Sequence, residues 1–200
     1  MSISKTLSTR CTNFIRKNIS TSEEDLEKID YGMQVIIINI YQSIILFIIA
    51  YFLGIFIYTL IASILFAIVR IFASGVHANS TLTCCIVSST FFFGNVYLSL
   101  NIPKNIISIS IIFLVSLILI LLYAPADTEE RPLISKKLRK SLKIKSVIVV
   151  IAFYIAALLI QNNIYANLIT FSVLEEAFVI TPLAYKLFNK RYNNYKYFNH

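Results

Sequence analysis

A succession of apolar stretches, each near twenty residues long and almost free of charge, constrains this chain more than any other feature. A helix needs roughly 20 mostly apolar residues to cross a bilayer. Inside lipid only helices or closed barrels satisfy every backbone polar group. Six stretches fit: residues 31–53, 55–72, 82–100, 106–123, 146–159 and 164–182. The second and fifth are short, the third is the most polar, and the fourth is almost purely apolar. The expected fold is therefore all-α, a polytopic membrane protein with six transmembrane helices. Composition agrees: 58% of the 200 residues are hydrophobic and 14% are charged, against about a quarter charged in soluble domains.

Charge placement predicts the orientation. The net charge is +8, and the basic residues lie beside or between apolar stretches. They are read as facing an anionic membrane surface rather than nucleic acid. With the N-terminus in the cytoplasm and six spans threaded, 17 of the 18 Lys and Arg fall on the cytoplasmic side, and Lys104 alone falls outside. That asymmetry predicts an even number of spans, with both termini cytoplasmic in a bacterial cell membrane. It also puts "ASGVHANSTLTCC", residues 73–85, at the cytoplasmic face.

Three regions are expected. Residues 1–20 form an amphipathic surface helix, with Ile3, Leu7, Cys11, Phe14 and Ile15 on one side and Lys5, Arg10, Arg16 and Lys17 near the headgroups. Residues 21–185 hold the six spans, and residues 186–200 form a basic cytoplasmic tail. Thr21 and Glu24 have the spacing of a capping box, which marks a fresh helix start. Residues 1–30 are too polar to hold the apolar core of a signal peptide.

The three cysteines, Cys11, Cys84 and Cys85, make no disulfide framework. One of the two histidines, His77, precedes Cys84 by seven residues. A thiol nucleophile needs a base or a nearby cation to form thiolate. On one continuous helix the two would share a face but lie about 10 Å apart, too far for proton transfer. Cooperation therefore requires a break in the chain. Ser74 and Gly75 can bend the second span, and Asn79, Ser80 and Thr81 are suitable N-cap residues for the third. With Ser80 as N-cap, Cys84 falls at the fourth helical position, where the helix dipole favours an anion. The competing reading is a pair of buried cysteines beside an interfacial histidine, and spacing leaves Cys84 and Cys85 both open. Adjacent cysteines lack the usual ligand spacing for zinc, so no metal site and no cofactor is expected.

Two segments resemble the accessory gene regulator B (AgrB) family, bacterial membrane cysteine peptidases that process quorum-sensing propeptides. In "RIFASGVHANSTLTCC", Arg70, Gly75, His77 and Cys84 match the family's Arg, Gly, His and Cys. "YAPADTEERPLI", residues 123–134, matches the family motif after the fourth span, and the size and six-span layout extend the likeness over the chain. Ser74 departs from the pattern, since many members have glycine there. The resemblance implies that Cys84 is the nucleophile and His77 the base. It implies an AgrD-like propeptide as substrate, cleaved through a thioester acyl-enzyme. The propeptide's own cysteine or serine then closes a thiolactone or lactone ring, and another protease removes the leader. Membrane lipids are the other partner, and a homodimer suits a membrane enzyme of this size.

Two further clusters are candidates. Glu175 and Glu176 lie within the sixth stretch, where carboxylates are costly and usually face a bundle interior or a wet cavity. They are read as polar packing, as partners of a basic group, or as groups orienting His77, with Gln34, Asn39 and Gln42 as potential contacts. A small transporter or peptide exporter with these glutamates in its path is the alternative function. The stretch 135–145, read as a basic loop, carries Lys136, Lys137, Arg139 and Lys140. It serves topology and anionic lipid, or docks the acidic part of the propeptide. Asp127, Glu129 and Glu130 precede it and are read as a solvated turn, or as partners of these bases.

Overall fold

The computed structural model describes residues 3–18, 22–76, 81–129 and 131–198. Eight α-helices appear among them: α1 (Ile3–Asn18), α2 (Glu23–Phe52), α3 (Phe56–Ala73), α4 (Thr81–Asn101), α5 (Ile106–Tyr123), α6 (Lys136–Leu159), α7 (Asn163–Val179) and α8 (Pro182–Leu187), followed by a 3-10 turn at Asn194–Phe198. The described residues contain no strand. An isolated bridge joins Ser74 to Ala126. The chain divides into two compact units, residues 1–49 and 50–200.

In the first unit the Thr12 hydroxyl of α1 lies 3.2 Å from Asp30 Oδ1 of α2, and Arg16 pairs with Glu23. The cap of α2 is Ser22. Its Oγ accepts from the Asp25 amide at 3.2 Å and donates to the Asp25 carboxylate at 2.7 Å. The capping pair therefore falls one residue after the expected Thr21 and Glu24; Thr21 itself lies outside the described residues. The first apolar stretch continues this helix without a break, so α2 reaches 30 residues.

In the second unit α7 is the central helix and packs against α3, α4, α5 and α6. The core is built mostly from small and branched side chains around the aromatic Phe113: Val69 and Ala73 of α3, Ile109, Phe113 and Ile120 of α5, Val150 and Ala157 of α6, and Ala166, Ile169, Val173 and Ala177 of α7. The outward faces are apolar too. Ile57, Ile64 and Ile71 on α3, Ile111, Leu114 and Ile118 on α5, and Ile148, Ile151 and Ile155 on α6 are all exposed. Rows of exposed branched residues on several helices suit lipid as the outer solvent and would be an aggregation liability in water.

Among the described residues, five helices are long and apolar enough to cross a membrane, within residues 25–52, 56–73, 82–101, 106–123 and 136–159. The sixth expected stretch corresponds to α7, which has 17 residues and rises only about 25 Å. It is shorter than those five and buries polar residues, Asn167, Thr170, Ser172 and Glu176. Its neighbours shield it on several sides, so its polar groups meet protein rather than hydrocarbon.

The basic stretch 135–145 is not a loop. It forms the first turns of α6, which is 24 residues long. Ser135 is the N-cap: its side chain accepts from the Leu138 amide at 3.3 Å. Lys, Arg and Leu are good helix formers, and charge ends an apolar run without ending backbone hydrogen bonding.

Candidate functional site

The last turn of α3 carries Arg70, and the chain leaves the helix at Ser74, whose amide still donates to the Arg70 carbonyl at 2.9 Å. Ser74 has φ 59° and ψ −153°, a region in which non-glycine residues pay about 1–3 kcal/mol. Gly75 follows at φ 141°. A Cβ there would stand 3.1 Å from Arg70 Nη1 and 3.4 Å from both the Val179 carbonyl and Ile180 Cγ2. This turn needs glycine for its conformation and for its space alike.

Three elements hold the turn. From within, Arg70 Nη2 donates to the Val76 carbonyl at 2.7 Å and approaches that of Gly75 at 3.5 Å. From the end of α7, the Val179 carbonyl accepts the Val76 amide at 3.3 Å. From the segment after α5, the Ala126 amide donates to the Ala73 carbonyl at 2.9 Å. The two sequence segments that carried the family resemblance are thus neighbours in space.

Arg70 also lies 5.4 Å from the Phe66 ring centroid, and its Nη1 contacts Glu176 Oε2 at 3.2 Å. Glu176 is fully buried. This pair joins α3 to α7 across 106 residues. Removing one partner would strand a charge, at a cost of about 3–5 kcal/mol. Glu175 belongs to a different cluster. Asn95 Nδ2 of α4 donates to Ser172 Oγ at 3.0 Å and reaches Glu175 Oε2 at 3.4 Å. Ser172 in turn donates to the Ala62 carbonyl of α3 at 3.2 Å. The two adjacent glutamates therefore tie the central helix to its neighbours through different partners.

His77 and Ser80, with Ala78 and Asn79, lie outside the described residues. The chain enters that stretch from the held Val76 and leaves it into α4 at Thr81. Cys84 is the fourth residue of α4. It and Cys85 are half-buried free thiols.

The basic candidates separate. Lys136, Lys137 and Lys140 are exposed in the first turns of α6, whereas Arg139 is half-buried, its guanidinium 3.5 Å from the Tyr195 ring centroid. The C-terminal segment is thus part of the folded unit. Its anchor is Asp127, which is 3% exposed and is no solvated turn. Asp127 accepts backbone amides from Asn194 (2.9 Å), Tyr195 (2.6 Å) and Leu133 (3.3 Å). Its own carbonyl accepts the Tyr185 hydroxyl at 2.6 Å and Asn194 Nδ2 at 3.3 Å. Glu129 pairs with Arg191 at 3.7 Å. Tyr192 packs edge-on against Tyr123 and Tyr185. Burial, then the nearby Tyr123, pushes the Tyr192 hydroxyl up to about 12. Burial and the Asp127 carboxylate push Tyr185 up as well. Both phenols thus stay protonated, which suits Tyr185 as a donor. Sequence reasoning missed the Asp127 anchor, although both halves were visible, an Asp in the "YAPAD" motif and a Tyr/Asn-rich tail.

Comparison with known proteins gives consistent matches. Residues 8–180 match the accessory gene regulator B family, AgrB. A putative AgrB-like protein of Clostridium acetobutylicum is 32% identical over 181 residues, covering 90% of this chain and 87% of that protein. A putative AgrB-like protein of Listeria innocua is 36% identical over 174 residues, covering 87% and 85%. Accessory gene regulator protein B of Staphylococcus intermedius is 32% identical over 168 residues, covering 84% and 87%. No solved structure matches.

Proposed function

The chain belongs to the accessory gene regulator B family, and from that premise we propose that it is a membrane-embedded cysteine endopeptidase and peptide cyclase acting on an AgrD-like quorum-sensing propeptide. Cys84 is the nucleophile and His77 its base. The thiolate attacks the carbonyl at the end of the future signal segment. The tetrahedral intermediate collapses, the C–N bond breaks, and the departing amine leaves with the proton that His77 returns. The signal segment remains as a thioester on Cys84. The propeptide's own thiol or hydroxyl, deprotonated by His77, then attacks that thioester. It closes a thiolactone or lactone ring and releases the Cys84 thiol. Held beside the thioester, this internal nucleophile outcompetes water, because ring closure is effectively intramolecular.

The observation that carries this reading is the turn at residues 74–76. It is pinned by Arg70, by Val179 and, one residue earlier, by Ala126, and it leads directly to His77 on one side of the 77–80 stretch, with Cys84 in the first turns of α4 on the other. Such anchoring supports a preorganised pair. In this reading α7 is the sixth span, α1 lies on the membrane surface, both termini are cytoplasmic, and the reaction occurs at the cytoplasmic face. Lys136, Lys137 and Lys140 offer exposed charge for the acidic end of the propeptide.

Co-expression with a candidate propeptide tests the assignment. The wild type and Cys85→Ala are expected to release the C-terminal fragment, detected by mass. Cys84→Ala and His77→Ala are expected to leave the propeptide intact. Cleavage at the wild-type level by Cys84→Ala overturns the peptidase reading; loss with Cys85→Ala alone moves the nucleophile by one residue.

A further inference from the structure

The family match ends at residue 180, yet the chain beyond it is built into the same end of the bundle as the turn before His77. Connectivity there is short. Asn194 and Tyr195 give their amides to the Asp127 carboxylate. Ala126, the adjacent residue, gives its amide to Ala73. Ala73 precedes the turn at 74–76. Asp127 and Asn194 are 3% and 2% exposed, so water competes little for these bonds. The Asp127 carboxylate also takes the Leu133 amide, which closes the loop from 127 to 133 on itself. Tyr185 and Tyr192 pack edge-on against each other, and Tyr192 also packs against Tyr123, the last residue of α5.

We propose that residues 192–195 form a strap that acts through Asp127 as a positioning element: it holds segment 123–133 against the end of α3 and so fixes the turn from which His77 emerges. The proposal rests on the peptidase reading above. The strap and Asp127 are assigned no step in the reaction. Their effect is on the alignment of base and nucleophile, where a displacement of about 1 Å costs on the order of a hundredfold in rate. The strap also stacks Tyr195 on Arg139, and the test must separate that contact from the bond to Asp127.

The measurement uses the full chain with Cys11→Ala and Cys85→Ala, leaving Cys84 as the sole thiol. Tyr195→Pro removes the amide that Asp127 accepts, at a position near the start of a helical turn where proline is tolerated. Tyr195→Ala keeps the amide and removes the stacking. Asp127→Asn keeps an acceptor oxygen; Asp127→Ala removes both. Propeptide turnover, membrane abundance and the pH profile of Cys84 alkylation by iodoacetamide are followed for each. The strap predicts that Tyr195→Pro and Asp127→Ala lower kcat by about tenfold or more at nearly unchanged KM and abundance. In both, the alkylation profile moves towards that of an unassisted thiol. Tyr195→Ala behaves like the parent, and Asp127→Asn falls between parent and Asp127→Ala. The proposal is overturned if Tyr195→Pro turns over at the parent rate, if its loss only tracks abundance, or if Tyr195→Ala loses as much. A Cys84→Ala control in the same background reads the peptidase assignment separately: cleavage there sinks that assignment, whatever the strap variants do.

Discussion

Ser74 holds a backbone conformation that its own side chain opposes. The strain of about 1–3 kcal/mol is tolerated because four bonds around the turn over-determine it: Ser74 to Arg70, Ala126 to Ala73, Val76 to Val179, and Arg70 to Val76. Glycine would adopt the same angles freely but would lose more freedom on folding, about 0.5–1 kcal/mol. Ser74→Gly is therefore expected to stabilise the protein by about 1 kcal/mol, read as a higher unfolding midpoint in detergent. A lower midpoint would count against the strain. The neighbouring change has the opposite sign. Gly75→Ala puts a Cβ 3.1 Å from Arg70 Nη1 at a φ that L residues avoid. It is expected to cost about 1–3 kcal/mol and to displace the guanidinium that holds the Val76 carbonyl, so propeptide turnover falls as well. Unchanged turnover in that variant would mean that the turn tolerates a shift the structure says it cannot absorb.

Helix ends explain more of this molecule than helix middles do. At the end remote from the candidate site, Lys104 Nζ donates to the carbonyls of Leu158 and Ile160, at 3.1 and 2.6 Å. A cation at the C-terminus of α6 satisfies free carbonyls and offsets the dipole. Lys104→Met is expected to destabilise by about 1–2 kcal/mol, allowing for partial exposure, with Lys104→Arg recovering part of the loss; equal midpoints for all three would refute the cap. At the site end, α8 closes in a Schellman motif. The Asn189 amide donates to Lys186 and the Lys190 amide to Tyr185, with Asn189 at φ 51°. That reversal sends the chain back so that Asn194 and Tyr195 reach Asp127. The tail's position is therefore set by one helix end and one buried carboxylate.

For the second unit as a whole, the ends of five helices sort into two sets. The C-termini of α3, α5 and α7 and the N-terminus of α6 share one end, joined by the Ala73–Ala126, Val76–Val179 and Tyr185–Asp127 bonds and by Lys145 over the Phe72 ring. The other end holds Lys104 beside the last turn of α6 and Asn167 donating to the Ile102 carbonyl at 2.7 Å. Basic residues crowd the first end, which predicts that it faces the cytoplasm. Single Lys104→Cys and Lys137→Cys variants, in a background with the three native cysteines replaced by alanine, test this with an impermeant maleimide in intact cells. Lys104→Cys is expected to label, and Lys137→Cys only after permeabilisation. The reverse pattern would invert the orientation.

What could be read from sequence here was local. The lengths of the apolar stretches required membrane-crossing helices, and five of them are long and apolar enough to cross. Arg70 and Gly75 stood out within one short segment, and both lie in the turn that leads to His77. Hydropathy misjudged α6, because charge at Lys136 to Lys145 interrupts transfer into lipid but not the i to i−4 hydrogen bonds. The partners were illegible. Nothing in the spacing pairs Arg70 with Glu176 across 106 residues, or Asp127 with Asn194 across 67. Hydropathy and periodicity report what each segment buries, whereas a contact depends on which faces of several helices meet at once. That choice was made when α7, with its two glutamates, took the centre: there its carboxylates and amides find protein partners instead of lipid.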